Sequence, residues 1–210
     1  MSYSFYLPEI KEYIKLEIPE DVYYPDEDSF LLLETLIKTM DSNTRLFLEI
    51  GGGSGLITIA LAKFFPQIRF LINDVSFSST ETIYYNIRLN NTHNIIDVFQ
   101  MDTISGLRAF NPDIIVWNPP YLPLDEDVSL FSKKERKMLF GGKNGYEQAY
   151  AFIDLCLRTF FHSTIFIVLS SLGWDPSMLP TLVQKDNVTA EIVNKKKLPF
   201  ETLFVIKINF

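Results

Sequence analysis

The run Arg45-Leu-Phe-Leu-Glu-Ile50, followed at once by Gly51-Gly-Gly-Ser-Gly55 and by Leu56-Ile-Thr-Ile-Ala-Leu-Ala-Lys-Phe-Phe65, leaves this chain few ways to fold. A strand-sized apolar stretch, a glycine-rich turn and a helix-sized apolar stretch make the first half of a β-α-β unit. Glycine tolerates positive φ and has no side chain, so such a turn lets a ligand lie against the backbone. Ile68 to Asn73 reads as the next strand and ends at Asp74, 23 residues beyond Gly51. That is the separation at which a second strand carries a ribose-binding acid. Ser76 to Asn90 reads as a helix with Ile83, Ile87 and Tyr84 inward, punctuated at Asn90-Asn91. Ile95 to Gln100 is a third strand, ending near Asp102-Thr103. Strands alternating with helices at this spacing imply an α/β fold with a parallel, doubly wound sheet.

A second constraint is Asp113-Ile-Ile-Val-Trp-Asn-Pro-Pro-Tyr121. Ile114, Ile115, Val116 and Trp117 are β-branched or aromatic, as a buried strand requires. Pro119 and Pro120 have no amide hydrogen, so the strand must stop at Asn118. A residue before proline is pushed out of the helical region, which holds Asn118 extended at a strand end. Ligands bind at the carboxyl ends of parallel strands, so an amide, a stiff backbone and an aromatic ring meet at a ligand mouth. Taken alone, the stretch reads equally well as a strand followed by a proline-rich turn.

Upstream, Leu31 to Met40 reads as a helix with an apolar stripe at Leu32, Leu33, Leu36, Ile37 and Met40. Asp26 or Asp28 is its expected N-cap, where acidic groups suit the helix dipole. From Leu122 to Gly142 periodicity fails, and a loop this long inside a compact domain is functional or mobile. Its acidic part is Asp125-Glu-Asp127, and its basic part, Lys133-Lys-Glu-Arg-Lys137, reads as a solvated face in preference to a contact for a substrate protein. Asn144 is expected to cap a helix over Gly145 to Phe161, and Thr164 to Leu169 is another buried strand. Val188 to Lys196 and Thr202 to Ile208 read as a closing antiparallel pair. One domain over residues 1–210 is expected, with 1–21 as an N-terminal extension.

Charge narrows the partners. The net charge is −7, whereas gripping a nucleic-acid backbone normally calls for a basic surface. The apolar runs are strand-sized, so no membrane span is expected, and the N-terminus has neither the basic flank nor the apolar core of a signal peptide. The single cysteine, Cys156, cannot form an intrachain disulfide, which suits a reducing compartment: the cytoplasm, with the nucleus left open. Two histidines and one cysteine offer no metal-ligand cluster.

The spacing Glu49-x-Gly51-x-Gly53-x-Gly55 differs from the Gly-x-Gly-x-x-Gly of dinucleotide oxidoreductases. An acid directly ahead of the loop would repel a pyrophosphate and suits a cationic ligand such as the ammonium and sulfonium of S-adenosylmethionine. Asp74 would hold the ribose hydroxyls, and Asp102 would accept from the adenine amino group. Asn118 then acquires a task. Its side-chain oxygen and the Pro119 carbonyl could take both hydrogens of a planar NH2 group, favouring a more tetrahedral nitrogen whose lone pair faces a methyl carbon. Tyr121 would pack on the planar group.

Asn118-Pro-Pro-Tyr121 together with Glu49-x-Gly-x-Gly-x-Gly55 resembles the class I methyltransferases that modify planar amino groups. Val22-Tyr-Tyr-Pro-Asp-Glu-Asp-Ser-Phe-Leu-Leu-Leu33 resembles the opening of the eukaryotic and archaeal release-factor glutamine methyltransferases, a HemK-like group. Gly141-Gly-Lys-Asn-Gly145 and Glu201-Thr-Leu203 match that group's later motifs, so the resemblance runs from Val22 to Ile208. Gly52 stands where the group more often has Ser or Thr. The resemblance implies a Rossmann-like domain with a mostly parallel seven-stranded sheet, a C-terminal antiparallel strand and helices on both faces. It implies transfer of a methyl group from S-adenosylmethionine to the glutamine of the Gly-Gly-Gln motif of a translation termination factor. It assigns cofactor contacts to Ser29, Glu49, Gly51, Gly53, Asp74, Asp102, Thr103 and Asn118. Asn118, Pro119, Pro120 and Tyr121 become the substrate clamp, of which Asn118, Pro119 and Tyr121 are catalytic. It also implies a heterodimer with a small zinc-binding activator that extends the sheet at an edge strand, Ile95 to Gln100. The rival readings are methylation of adenine or of protein lysine, and a non-catalytic binding subunit, against which intact Asp102 and Asn118 argue.

Overall fold

The computed structural model describes residues 1–8, 11–41, 43–93, 95–107, 110–124, 131–183 and 187–210, with the side chains of 133 and 134 left aside. Asp125-Glu-Asp127 therefore lies outside the described residues. The stretch read as an extension begins with β1 (Ser2–Leu7) and β2 (Glu12–Glu17), an antiparallel hairpin. Then come α1 (Glu27–Thr39), β3 (Leu46–Ile50), α2 (Leu56–Phe64), β4 (Arg69–Asp74), α3 (Phe77–Leu89), β5 (Ile96–Gln100) and β6 (Ile114–Trp117). The second half holds β7 (Leu122–Pro123), α4 (Lys133–Leu139), β8 (Phe140–Gly142), α5 (Glu147–Thr159), β9 (Thr164–Ser170), α6 (Leu179–Leu182), β10 (Thr189–Lys197) and β11 (Thr202–Asn209).

Seven strands form one sheet in the order β10-β11-β9-β6-β3-β4-β5. β9, β6, β3, β4 and β5 run parallel, β11 alone runs against them, and β10 pairs antiparallel with β11 at the sheet edge. The central strands are apolar on both faces, as a sheet covered by helices on both sides demands. Phe47, Phe70, Ile72, Val116 and Phe166 enter a core shared with α1, α2 and the hairpin. Leu48, Ile115, Trp117 and Ile167 enter a second core with α5. β3 neighbours β4 on one side and β6 on the other, so successive crossovers diverge there and open a crevice at the strands' carboxyl ends. Among the described residues no helix is long and apolar enough to cross a membrane.

The hairpin is held by two asparagines, Asn86 of α3, which the sequence reading passed over, and Asn90 just after it, which it took for punctuation. Asn86, fully buried, accepts from the Glu17 amide at 2.8 Å and donates to the Glu17 carbonyl at 3.0 Å. Asn90 makes the same pair with Lys15, at 3.0 and 2.7 Å. Two amides one helical turn apart thus imitate a neighbouring strand for β2.

Three expectations are corrected. Tyr84 does not face inward: it is exposed, with the Arg88 guanidinium 4.5 Å above its ring. Asn144 does not cap α5 by accepting. Its backbone and side-chain nitrogens donate to the Glu147 carboxylate, at 2.9 and 2.7 Å. The stretch after Leu122 is not wholly irregular, for β7 and β8 pair in parallel and α4 opens with a reciprocal capping box between Ser132 and Glu135. That box is a Ser-x-x-Glu signal legible in the sequence. Of the two cap candidates for α1, Asp26 takes the role, accepting from the Glu27 amide at 2.8 Å.

Candidate active site

A cleft of about 990 Å³ lies at the carboxyl ends of β3, β4 and β6. Ser29, Glu49, Gly51, Gly53, Asp74, Asp102, Thr103, Asn118, Pro119, Pro120 and Tyr121 all line it. The residues expected to hold cofactor and acceptor are therefore brought to one place. The segment before α1, from Val22 to Asp26, forms one wall, and Glu135, Lys137, Met138 and Leu139 of α4 reach another. The basic run is thus only partly a solvated face.

The glycine turn is tied down from β4. The Gly52 amide donates to the Asn73 carbonyl at 2.8 Å, and the Gly53 amide to Asp74 Oδ2 at 3.0 Å. Gly51 and Gly53 sit at φ 63° and 55°, in the left-handed region that favours glycine. A Cβ at Gly51 would stand 3.1 Å from Trp117 Nε1, so the turn and the end of β6 approach as closely as a bare backbone allows. Asp74 Oδ1 accepts from the Ser76 amide at 2.8 Å, and burial pushes the Asp74 carboxyl up against these hydrogen bonds.

Glu49 has a structural partner that the sequence did not reveal. Its Oε2 accepts from the Thr58 amide at 3.0 Å and from the Thr58 hydroxyl. Thr58 lies in the first turn of α2, whose N-cap Gly55 has no side chain to offer, so a carboxylate from β3 caps the helix. Burial pushes the Glu49 carboxyl up to about 7; the two Thr58 hydrogen bonds oppose this and the Asp74 charge adds to it.

Asn73 was missed. It is fully buried, donates through Nδ2 to the Thr103 carbonyl at 2.5 Å and accepts from the Gly51 amide at 3.4 Å. It joins the glycine turn to the Asp102-Thr103 corner, where Thr103 has φ 50°. A buried asparagine inside a strand pattern is the one sequence signal that could have found it.

The acceptor end is built around Asp28, which reads locally as a cap candidate and is instead buried. Its Oδ2 accepts from the Tyr23 hydroxyl at 2.8 Å and the Tyr121 hydroxyl at 3.1 Å. Burial first, and the Asp28 charge second, push both phenols far above the usual tyrosine range, so both remain donors. Asn118 Nδ2 donates to Ser29 Oγ at 3.4 Å. Asn118 Oδ1 is then the only buried side-chain polar atom among the described residues without a partner. An orphaned buried acceptor costs about 1–3 kcal/mol, and such a group in a cleft points to a donor-bearing ligand.

Gly141-Gly-Lys-Asn-Gly145 buttresses this loop from behind. A Cβ at Gly141 would lie 2.4 Å from the Pro120 carbonyl, and one at Gly145 would lie 2.3 Å from the Tyr121 carbonyl. Glu201 also reaches the cleft and accepts from the Ser170 hydroxyl at the end of β9.

An α/β sheet of this order, with a glycine turn and strand-end acids at its switch point, defines a class I methyltransferase. The chain belongs to the methyltransferase small-domain family, whose model matches residues 23–132. It is 35% identical over 196 residues to "Putative protein N5-glutamine methyltransferase MJ0928" of Methanocaldococcus jannaschii, covering 93% of this chain and 95% of the relative. It is 25% identical over 213 residues to the eRF1 methyltransferase catalytic subunit mtq2 of Schizosaccharomyces pombe, covering 93% and 92%. Among solved structures, the Thermus thermophilus 16S rRNA N2 G1207 methyltransferase, in complex with AdoMet and guanosine, shares the fold with a TM-score of 0.69 at 17% identity, covering 100% of this chain and 50% of that one.

The protein is an S-adenosylmethionine-dependent methyltransferase. The cleft fits that cofactor: bare backbone at Gly51 and Gly53 gives a cradle, and the Glu49, Asp74 and Asp102 carboxylates line the same end.

Proposed function

We propose that this chain is a protein-glutamine N5-methyltransferase acting on the Gly-Gly-Gln glutamine of a translation termination factor. The observation that carries the reading is the buried, unpartnered Asn118 Oδ1, an acceptor waiting for an N–H donor. The archaeal relative's name supplies the glutamine, and the yeast relative's supplies a factor, eRF1, as the protein that is methylated. Bound S-adenosylmethionine supplies an electrophilic methyl carbon on a sulfonium sulfur. Ser29, Glu49, Gly51, Gly53, Asp74, Asp102 and Thr103 hold that molecule. Asn118 Oδ1 and the Pro119 carbonyl accept the two hydrogens of the acceptor NH2, while Pro120 stiffens the turn and the Tyr121 ring supports the planar amide. These residues orient a weak nucleophile and favour its pyramidal form, which is catalysis by positioning and electrostatics. We take residues 1–210 as one catalytic domain that works in the cytoplasm.

The same reading includes a heterodimer with a small zinc-binding activator. Its support is β5, an edge strand of the sheet, beside α3, on which Phe77, Tyr84, Tyr85 and Leu89 are exposed. The yeast relative's description as a catalytic subunit agrees. Labelled methyl transfer to a termination factor, with and without the activator, is the test, beside the factor's Gln→Ala variant and an adenine-containing RNA. Label in the wild-type factor alone is expected. Equal labelling of the Gln→Ala variant, or labelling of the RNA alone, sinks the glutamine assignment, and full activity of the isolated chain sinks the activator.

Glu49 makes cofactor binding pH-dependent. A carboxyl whose folded pKa is raised opposes folding once ionised, so the free protein should lose stability as pH rises from about 4.5 to about 7. A cationic ligand prefers the ionised form. Below about 7 the proton must leave first, and affinity should fall by up to about tenfold per pH unit. Calorimetry at pH 6 in two buffers of different ionisation enthalpy should register proton release on binding. Glu49→Gln should bind weakly with no such release, and release unchanged in that variant would clear Glu49 of the role.

Asn73→Ala should weaken S-adenosylmethionine binding by about tenfold, because it frees the Thr103 carbonyl and the Gly51 amide together, at about 1–2 kcal/mol. Titration calorimetry decides it. Affinity equal to wild type would mean the two corners hold without the strut.

A further inference from the structure

We propose that Asp28 is a positioning residue that, acting through the Ser29 hydroxyl, fixes which end of the Asn118 side-chain amide faces the acceptor; this rests on the functional reading above. An ionised carboxylate only accepts hydrogen bonds, and a serine hydroxyl has one hydrogen to give. Asp28 Oδ1 accepts from the Ser29 amide at 2.5 Å and from the Ser29 hydroxyl at 3.2 Å. With its hydrogen committed there, Ser29 Oγ is left as an acceptor and takes a hydrogen from Asn118 Nδ2 at 3.4 Å. Asn118 must then show its oxygen to the cleft, where Oδ1 is buried and unpartnered. The flipped amide would set its oxygen against the Ser29 oxygen, two acceptors face to face. It would also turn N–H hydrogens toward the acceptor's own NH2.

The other oxygen of the same carboxylate fixes the second half of the clamp. Asp28 Oδ2 accepts from Tyr121, which follows β6, and from Tyr23, which precedes α1. Three separate parts of the chain therefore take their hydrogen-bond polarity from one group. Asp28 is 3% exposed, so water does not compete for these bonds. Asp28 itself need not touch the acceptor. It decides that Asn118 accepts and that Tyr121 donates away from the reacting nitrogen.

The test is steady-state methyl transfer by the full chain with its activator to a Gly-Gly-Gln peptide, paired with S-adenosylhomocysteine binding. Asp28→Asn can donate where Asp28 only accepted, which lets the relay reverse. It should lower kcat by roughly tenfold while cofactor affinity stays within about threefold. Ser29 also holds the cofactor, so its variants are compared at saturating S-adenosylmethionine: there Ser29→Ala should lower kcat by a similar factor, Ser29→Thr should restore part of it, and Asp28→Asn with Ser29→Ala should lose less than the product of the single losses. A kcat for Asp28→Asn within about twofold of wild type overturns the proposal. Should Asp28→Asn fail to fold, Ser29→Ala and Ser29→Thr decide it, and equal kcat for these two overturns it. If the wild-type protein transfers nothing to the peptide, the functional reading fails and the relay is judged without turnover. The 15N side-chain amide signal of Asn118, identified by its loss in Asn118→Asp, should exchange with solvent several-fold faster in Ser29→Ala than in wild type. Unchanged exchange overturns the relay.

Discussion

Replacing Asn118 by alanine is expected to lower kcat by about a hundredfold to a thousandfold, the range seen when one preorganised hydrogen-bonding group is removed from an active site. S-adenosylmethionine affinity should change far less, because Glu49, Asp74 and the glycine turn stay in place. Stability gives a second readout. The wild-type protein buries Asn118 Oδ1 without a partner and holds Nδ2 only at 3.4 Å from Ser29. Alanine removes the orphan along with that long bond, so the melting temperature should hold or rise. A site that stores a destabilised group for its ligand behaves in this way, whereas a structural amide does not. Measured kcat near wild type would remove Asn118 from the chemistry. A large fall in melting temperature would make it part of the scaffold.

Gly145→Ala is the second large effect, and it acts on the fold. Gly145 sits at φ 91°, outside the range an L-residue adopts without strain. A Cβ there would stand 2.3 Å from the Tyr121 carbonyl and 3.0 Å from the Pro123 nitrogen. The obstacles are backbone atoms of a proline-stiffened loop, so the loop cannot give way locally. Strain and overpacking together should cost about 3 kcal/mol. At this size that lowers the melting temperature by roughly 6 to 12 °C. Surviving folded protein should also show reduced kcat, since the displaced segment carries Tyr121 and follows Asn118 directly. Calorimetric melting, with activity measured well below the transition, separates the two losses. An unaltered melting temperature would show that the Gly-Gly-Lys-Asn-Gly segment does not brace the clamp.

Much of this architecture was legible in single segments. Apolar runs with β-branched residues located the parallel strands, and Gly51 to Gly55 and Pro119-Pro120 marked where two of them end. Strand ends in a parallel sheet converge, so Glu49, Asp74, Asp102 and Asn118 could be assigned to one cleft without coordinates. The Ser132 to Glu135 capping box was legible too, but the surrounding loss of periodicity concealed it.

What the amino-acid sequence determined alone is the set of features that depend on a residue and its near neighbours: periodicity, chain stops, glycine turns and the chemistry offered at each strand end. The tertiary structure alone decided who bonds to whom. Asp28 looked like a helix cap because the nearest unsatisfied donors in sequence belong to α1, yet it accepts from Tyr121, 93 positions away. Asn90 looked like helix punctuation and instead pairs with Lys15, 75 positions away. Asn73 looked like one more strand residue and is the strut between two loops. A buried polar side chain must find a partner, but its spacing along the chain carries no record of which one, because that choice is made only when distant segments are packed out of water.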